Sequence, residues 1–260
     1  MLRLENVSAG YGKAPVIRGI DAEFEKGRIT TIVGPNGSGK STLLKAAVHL
    51  CEVQEGTVYL KGKKGEEIGS REFAQQVSYL PQSHTAGAIT VGRMVLHGRF
   101  PYLSYPRHYG KEDYEFCRKA MEKIGILSLR DKKVDELSGG QRQKVYLAMA
   151  LSGETDVFLF DEPTTYLDIR YQLELLQLME QLKEQGKAVV TVLHDLDIAM
   201  RVSDSMIVMQ DGKIVQTGSP EEIQSSGIIE KVFQITAQSF VDQEGKKHFY
   251  FERQERQREK

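Results

Sequence analysis

Gly34-Pro35-Asn36-Gly37-Ser38-Gly39-Lys40-Ser41 decides how this chain folds. An apolar stretch, Ile29-Thr30-Thr31-Ile32-Val33, leads into it, and Thr42-Leu43-Leu44-Lys45-Ala46-Ala47-Val48 follows with helical character. Strand, glycine-rich turn and helix, in that order, are the setting in which Gly-x4-Gly-Lys-Ser cradles phosphate. Gly34, Gly37 and Gly39 let the backbone turn tightly and bring N–H groups against phosphate oxygens, and the helix start adds the positive end of its dipole. In such a loop Lys40 neutralises the β- and γ-phosphates of a nucleotide, and the Ser41 hydroxyl binds Mg2+. Pro35, Asn36, Ser38 and Thr42 complete the nucleotide-binding candidates in this segment.

Two further apolar runs, Val157-Phe158-Leu159-Phe160 and Ala188-Val189-Val190-Thr191-Val192-Leu193, have the continuous hydrophobicity of strands buried on both faces of a parallel sheet. They end at Asp161 and at His194, and ligands of open parallel sheets bind beyond the carboxyl ends of the strands. A strand ending in Asp-Glu is more often solvated surface when it stands alone. Beside a phosphate loop it offers two roles: Asp161 holds Mg2+ through water, and Glu162 orients and polarises the water that attacks the γ-phosphate. Between the two runs Ile169, Leu173, Leu176 and Met179 recur at helical spacing, widened by Leu175, Leu178 and Leu182, and Gly186 ends the pattern.

Strand-like alternation in residues 2–30 sets Leu2, Leu4, Ile20, Ala22 and Phe24 on one face, with a turn at Gly27. Gly56-Thr57-Val58-Tyr59-Leu60 is another short strand, closed by Lys61-Gly62. Met206 to Gln216 forms a hairpin about Asp211-Gly212, a pair that favours positive φ. Ser219-Pro220-Glu221-Glu222 opens a helix with an N-cap, a first-turn proline and a capping-box glutamate. Residues 87–150 interrupt the alternation with loops rich in Gly, Pro and Tyr, then show helical periodicity around Phe116, Ala120 and Ile124, the pattern of a helical insertion. Ser239 to Phe251 reads as a last hairpin around Glu244-Gly245, and the mixed charges from Glu252 to Lys260 read as a frayed tail.

Composition bounds the rest. The 260 residues can bury a substantial core, and 35 Lys+Arg against 36 Asp+Glu leave a net charge of −1, which argues against nonspecific nucleic-acid binding as the main activity while leaving a local basic patch open; no nucleic-acid partner is expected. Cys51 and Cys117 lack CxxC spacing and are expected to be reduced thiols. The N-terminus has no signal-peptide apolar region, and no apolar run approaches the ~18 residues of a membrane span, so any membrane role is expected to be peripheral.

Leu137-Ser138-Gly139-Gly140-Gln141 is a second glycine-rich, anion-binding sequence. Ser138 and the N–H groups of Gly139 and Gly140 at a helix start can satisfy an anion, although a serine N-cap with flexible glycines can open any helix. With it, motifs spread from Tyr11 to His194 and the chain resembles the ATP-binding cassette family, the nucleotide-hydrolysing subunits of ABC transporters. The resemblance implies an α/β P-loop NTPase with a RecA-like core, an antiparallel β subdomain and a helical insertion. It divides one domain into residues 1–86 and 151–240, the insertion at 87–150, and a C-terminal hairpin and tail at 241–260. It implies ATP and Mg2+, with Lys40, Glu162 and His194 catalytic and with Ser41, Gln82 and Asp161 around the metal. Ser138, Gly139, Gly140 and Gln141 are implied to cap the γ-phosphate of ATP held by a second copy, and Asp168 lies in the D-loop of that interface. Gln82, in Tyr79-Leu80-Pro81-Gln82, is similar to the Q-loop glutamine. Tyr11 is similar to the aromatic that stacks on adenine; otherwise it is a turn aromatic packed on Pro15.

Thr165-Tyr166-Leu167-Asp168 and His97-Gly98-Arg99-Phe100-Pro101-Tyr102 resemble the branch of that family serving iron–siderophore, haem and cobalamin importers. Partners implied are a second copy, two integral-membrane permease subunits and, indirectly, an extracytoplasmic binding protein, with the chain on the cytoplasmic face of the membrane. Siderophore cargo ranks first, with haem, cobalamin and metal ions open. A non-transport cassette acting on nucleic acid or ribosomes would need a second cassette, a long coiled-coil insertion or a basic surface. A small-molecule kinase would not need the Leu137–Gln141 sequence.

Overall fold

Alternation builds the first sheet. In β1 (Leu2–Gly10) the side chains of Leu2 and Leu4 are buried, while Arg3 and Glu5 pair at the surface at 2.8 Å. β2 (Ile17–Phe24) runs antiparallel to it, with Leu2 opposite Phe24 and Leu4 opposite Ala22. The structure, a computed structural model, describes residues 1–82, 87–165, 167–243 and 247–253. After β3 (Arg28–Val33) and α1 (Lys40–Ala47), β4 (Glu52–Leu60) and β5 (Lys63–Lys64) return to the first sheet, in the order β2-β1-β4-β5.

The chain then passes through α2 (Ser70–Ala74) and β6 (Val77–Leu80) into the insertion, which holds α3 (Val91–Leu96), α4 (Lys111–Lys123) and α5 (Gly139–Ser152). Strand and helix alternate from there: β7 (Val157–Asp161), α6 (Ile169–Glu184), β8 (Ala188–Val192), α7 (Leu196–Val202) and β9 (Ser205–Gln210). β10 (Lys213–Gly218), α8 (Pro220–Ser225), α9 (Ile228–Phe233), β11 (Ile235–Val241) and β12 (Lys247–Arg253) complete the chain. The second sheet has the order β10-β9-β3-β8-β7-β6; all its pairs are parallel except the edge strand β10, and every residue of β7 and β8 is buried. Continuous apolar runs therefore mark the central strands, as their sequence implied.

Both faces of that sheet are covered. Leu43, Leu44 and Ala47 of α1 share one cluster with Leu2 and Phe24 of the first sheet and with Ile32 and Leu159 of the second. On the opposite face the insertion helices and α6 pack over Phe158, Phe160 and Val189. Among the described residues no helix is long and apolar enough to cross a membrane.

Three expectations need correction. The buried stripe of α6 is Leu175, Leu178, Met179 and Leu182, whereas Ile169 is 76% exposed and Leu173 49%. Only the second half of this helix lies against the sheet, so the apolar residues of its first turns remain at the surface. The last hairpin begins at Ile235 rather than at 239 or 241, and Glu252 and Arg253 are paired with Thr236 and Ile235 rather than frayed. Phe249 holds that hairpin down, buried in a cluster with Leu196 and Met200 of α7. The expected turn at Glu244-Gly245 and the tail at 254–260 lie outside the described residues.

Two polar ties fix the layers. Arg99 is buried between the rings of Tyr102 (3.9 Å) and Phe116 (4.3 Å); it donates to Asp113 of α4 at 3.0 Å and to the carbonyl of Ser152, the last residue of α5, at 3.2 Å. Arg99, within the His97–Tyr102 stretch quoted from the sequence, is thus a hub of the insertion. Between the sheets, Asp156 receives Lys61 at 2.8 Å and Lys187 at 3.1 Å. The hydrogen bond from Lys61, joined by that from Lys187, holds the Asp156 carboxyl below its ordinary value. This stabilisation is complete above the unfolded carboxylate pKa of about 3.9 and is lost as pH falls through the lower folded value. Asp156→Asn is expected to lower Tm by about 2–4 °C at pH 7, with the difference from wild type shrinking as pH falls below the ordinary carboxylate range, measured by thermal unfolding across pH.

Candidate functional site

The carboxyl ends of β3, β8 and β7, neighbours in the second sheet, deliver the phosphate loop, His194 and the Asp161-Glu162 pair to one edge. The loop is shaped by what surrounds it. A Cβ at Gly34 would lie 2.3 Å from the carbonyl oxygen of Met209, so a side chain there collides with the β9–β10 hairpin. Gly39 has φ 99°, a left-handed conformation costly to other residues, and a Cβ there would lie 2.6 Å from Ile17 Cγ2.

Lys40, the first residue of α1, is 5% exposed and donates to the carbonyls of Gly34 (2.8 Å) and Pro35 (3.0 Å), so its chain lies back across the loop. Burial pushes the Lys40 ammonium below its ordinary pKa, while the nearby charges of Glu162 and Asp161 oppose the fall. The Ser38 hydroxyl is buried with no partner, a polar atom that phosphate oxygen would satisfy. Thr42 is buried in α1 behind the loop, Asn36 is exposed and Gly37 has open space where a Cβ would be.

Next to the loop, Ser41 Oγ donates to Asp161 Oδ1 at 2.8 Å and Tyr79 Oη donates to Asp161 Oδ2 at 3.1 Å. Asp161 is 1% exposed; burial raises its pKa, the hydrogen bonds from Ser41 and Tyr79 lower it, and the charge of Glu162 raises it. Burial and the neighbouring Asp161 push the Tyr79 phenol well above its ordinary value, so it stays a donor. A hydroxyl and a carboxylate beside a phosphate loop fit Mg2+, a hard cation that takes few protein oxygens and completes its shell with water and substrate phosphate. The described residues contain no cluster of three His, Cys, Asp or Glu side chains able to hold a metal alone.

Glu162 has φ 52°, left-handed backbone at a non-glycine residue. Its carboxylate stands between His194 Nε2, 2.6 Å from Oε1, and Gln82 Nε2, which donates to Oε2 at 2.5 Å. Gln82, Glu162 and His194 thus converge from the ends of β6, β7 and β8, although Gln82 engages Glu162 rather than the Ser41–Asp161 pair.

The remaining candidates lie elsewhere. Ser138 is the N-cap of α5: its hydroxyl accepts from Gln141 N at 3.3 Å, and Gln141 Oε1 accepts from Ser138 N at 3.2 Å. The capping reading is therefore true of Ser138 and Gln141, and Gly139 and Gly140 form the first turn. Among the described residues no hydrogen bond or ion pair ties residues 137–141 to the phosphate loop, and Ser138 and Gly139 face solvent. One link runs from the same helix to the site, Gln143 Nε2 donating to the carbonyl of Pro163 at 3.3 Å. Asp168 caps α6 by accepting from Tyr171 N at 3.0 Å, and its neighbour Tyr166 lies outside the described residues. Tyr11 is 62% exposed with Lys45 Nζ 5.6 Å from its ring centre, so the ring is open to solvent rather than sealed in a turn.

Comparison with known proteins agrees with this geometry. The profile of a family described as ABC transporter matches residues 17–165. The iron(3+)-hydroxamate import ATP-binding protein FhuC of Bacillus subtilis (strain 168) is 40% identical over 243 residues, 93% of this chain and 90% of that protein. The ferric enterobactin transport ATP-binding protein FepC of Escherichia coli (strain K12) is 43% identical over 234 residues, 89% of this chain and 86% of that one. Among solved structures, a dimeric ATP-binding cassette in a post-hydrolysis state, bound to ADP and Pi, superposes with a TM-score of 0.75 at 27% identity, covering 85% of this chain and 99% of that one. Built on a phosphate loop at the carboxyl edge of a parallel sheet and matched over nearly its full length, this chain belongs to the ABC transporter family, as an ATP-binding subunit whose ATPase activity is coupled to transport.

Proposed function

We propose that this chain hydrolyses ATP to ADP and phosphate at sites shared by two copies, and that the cycle drives import of a ferric siderophore through a membrane permease. The observation that carries the hydrolytic part is the convergence of Gln82, Glu162 and His194 next to the Ser41–Asp161 pair. The cargo rests on the names of relatives that serve hydroxamate and enterobactin import.

In this reading the loop N–H groups, Ser38 and Lys40 bind the phosphates, and Ser41 and Asp161 would hold Mg2+, which would supply positive charge to the bound phosphates. Glu162 takes a proton from water as its oxygen attacks the γ-phosphorus. His194 orients that carboxylate, and Gln82 leaves or keeps Glu162 according to the position of the insertion that follows it. Residues 1–86 with 151–240 act as the core and residues 87–150 as the arm that meets the permease. Tyr11 stacks on adenine. Ser138, Gly139, Gly140 and Gln141, of which Ser138, Gly139 and Gln141 are exposed, complete the site of a second copy, with Asp168 beside that interface. Closing and opening of the pair is a population shift set by nucleotide contacts, and the chain works on the cytoplasmic face of the membrane without touching cargo.

Growth of a deletion strain on single iron sources tests the cargo. Loss of growth on ferric siderophores, with growth on haem retained and cobalamin uptake intact, is the expected result; growth undiminished on every ferric siderophore overturns it.

A further inference from the structure

We propose that Tyr79 is a positioning residue for the Mg2+ site, holding the Asp161 carboxylate through the bond its phenol donates to Oδ2. The inference rests on the reading of Ser41 and Asp161 as metal-holding groups. It starts from the sheet: β6 and β7 are parallel with Tyr79 opposite Leu159, so Tyr79 and Asp161, two residues further along, point to the same face. That face is the one covered by α1, where Tyr79 packs against the cluster containing Leu43 and Leu44.

The two donors divide the carboxylate. Ser41 takes Oδ1 at 2.8 Å and Tyr79 takes Oδ2 at 3.1 Å, one donor to each oxygen of a residue that is 1% exposed. Ser41 is itself a metal-holding group, so its hydroxyl must turn a lone pair to the cation while keeping its proton on Asp161. Tyr79 has no such second task. It is the fixed donor: with it in place the carboxylate plane cannot swing about its last side-chain bond, and the remaining lone pairs stay aimed at the water shell of the metal. Groups that orient a ligand from behind commonly alter metal affinity by about 10–100-fold when removed. Nothing else among the described side chains donates to Oδ2, so Tyr79→Phe leaves a buried acceptor unpaired while keeping the ring that packs on α1.

The test measures binding rather than turnover. Affinity of the full-length protein for the imido analogue of ATP is determined by calorimetry with EDTA and with excess Mg2+, in wild type, Tyr79→Phe and Asp161→Asn, alongside nucleotide-free Tm. Wild type is expected to bind more tightly with Mg2+, and Asp161→Asn to lose that gain. Tyr79→Phe should match wild type in EDTA and lose about tenfold of the Mg2+ gain. An unchanged gain in Tyr79→Phe overturns the proposal, as does an equal loss with and without Mg2+, the signature of a role in packing alone. No Mg2+ gain in wild type, or a full gain in Asp161→Asn, overturns the metal-site reading itself and is distinguishable from failure at Tyr79.

Discussion

Exchange of Glu162 for glutamine is expected to reduce steady-state ATP hydrolysis by about 10³-fold while leaving nucleotide binding in place. Both oxygens of the carboxylate are engaged, one by His194 Nε2 at 2.6 Å and one by the Gln82 amide at 2.5 Å. An amide of the same shape keeps one acceptor oxygen for one of these donors but turns an N–H₂ toward the other, and it has no affinity for the proton of an attacking water. The Lys40 and Ser41 contacts, at the groups proposed to bind phosphate and metal, do not involve Glu162 directly. The variant should therefore load ATP, and it should accumulate as a pair of copies on size-exclusion chromatography because the step that reopens them is blocked. Phosphate release undiminished from wild type would remove Glu162 from the role of base.

Replacement of Lys40 by alanine acts on the other half of the reaction, with an expected loss of ATP affinity of about 100-fold, from a charge-assisted bond to phosphate of about 2–3 kcal/mol. The ammonium is 5% exposed and its pKa is lowered by burial, so its charge is already largely stripped of water in the loop. Meeting phosphate then costs little further desolvation, which is why the interaction is strong. The carbonyls of Gly34 and Pro35 lose the Lys40 donor, Pro35 keeping the Ser38 N–H at 3.2 Å, so the loop should relax with a small drop in nucleotide-free Tm. Calorimetric titration with the imido analogue of ATP separates the two effects, and affinity within a factor of three of wild type would exclude Lys40 as the phosphate contact.

Long-range order was legible in the sequence where local chemistry is stringent. Gly34 and Gly39 sit where a Cβ collides with a neighbouring strand, and Val157–Asp161 and Ala188–Val192 are buried on both faces, so glycine placement and unbroken hydrophobicity carried the site's scaffold directly. Ile169 and Leu173 misled because helical periodicity says which residues share a face, not how far the supporting sheet extends beneath it. Glu252 and Arg253 were hidden by their charge, although a two-stranded ribbon needs only one face on the core and Phe249 supplies the anchor. Tyr79 was quoted beside Gln82 but given no task, since its partner stands 82 residues away in sequence. The period of two would have placed it: once β6 and β7 are paired in parallel, Val77 and Tyr79 share a face with Val157, Leu159 and Asp161. The pairing of β6 with β7 is the information that a single strand does not contain.

The left-handed backbone at Glu162 has a bearing on how such a chain responds to selection. A side chain larger than glycine or asparagine at φ 52° carries strain of about 1–3 kcal/mol, felt by every copy whether or not it turns over. Glycine or asparagine at this position would relieve the strain and remove the proposed base together. Libraries enriched for heat tolerance alone should therefore drift toward those residues at 162, and breeding a tougher protein without a growth requirement for its activity would erase the reaction at its centre.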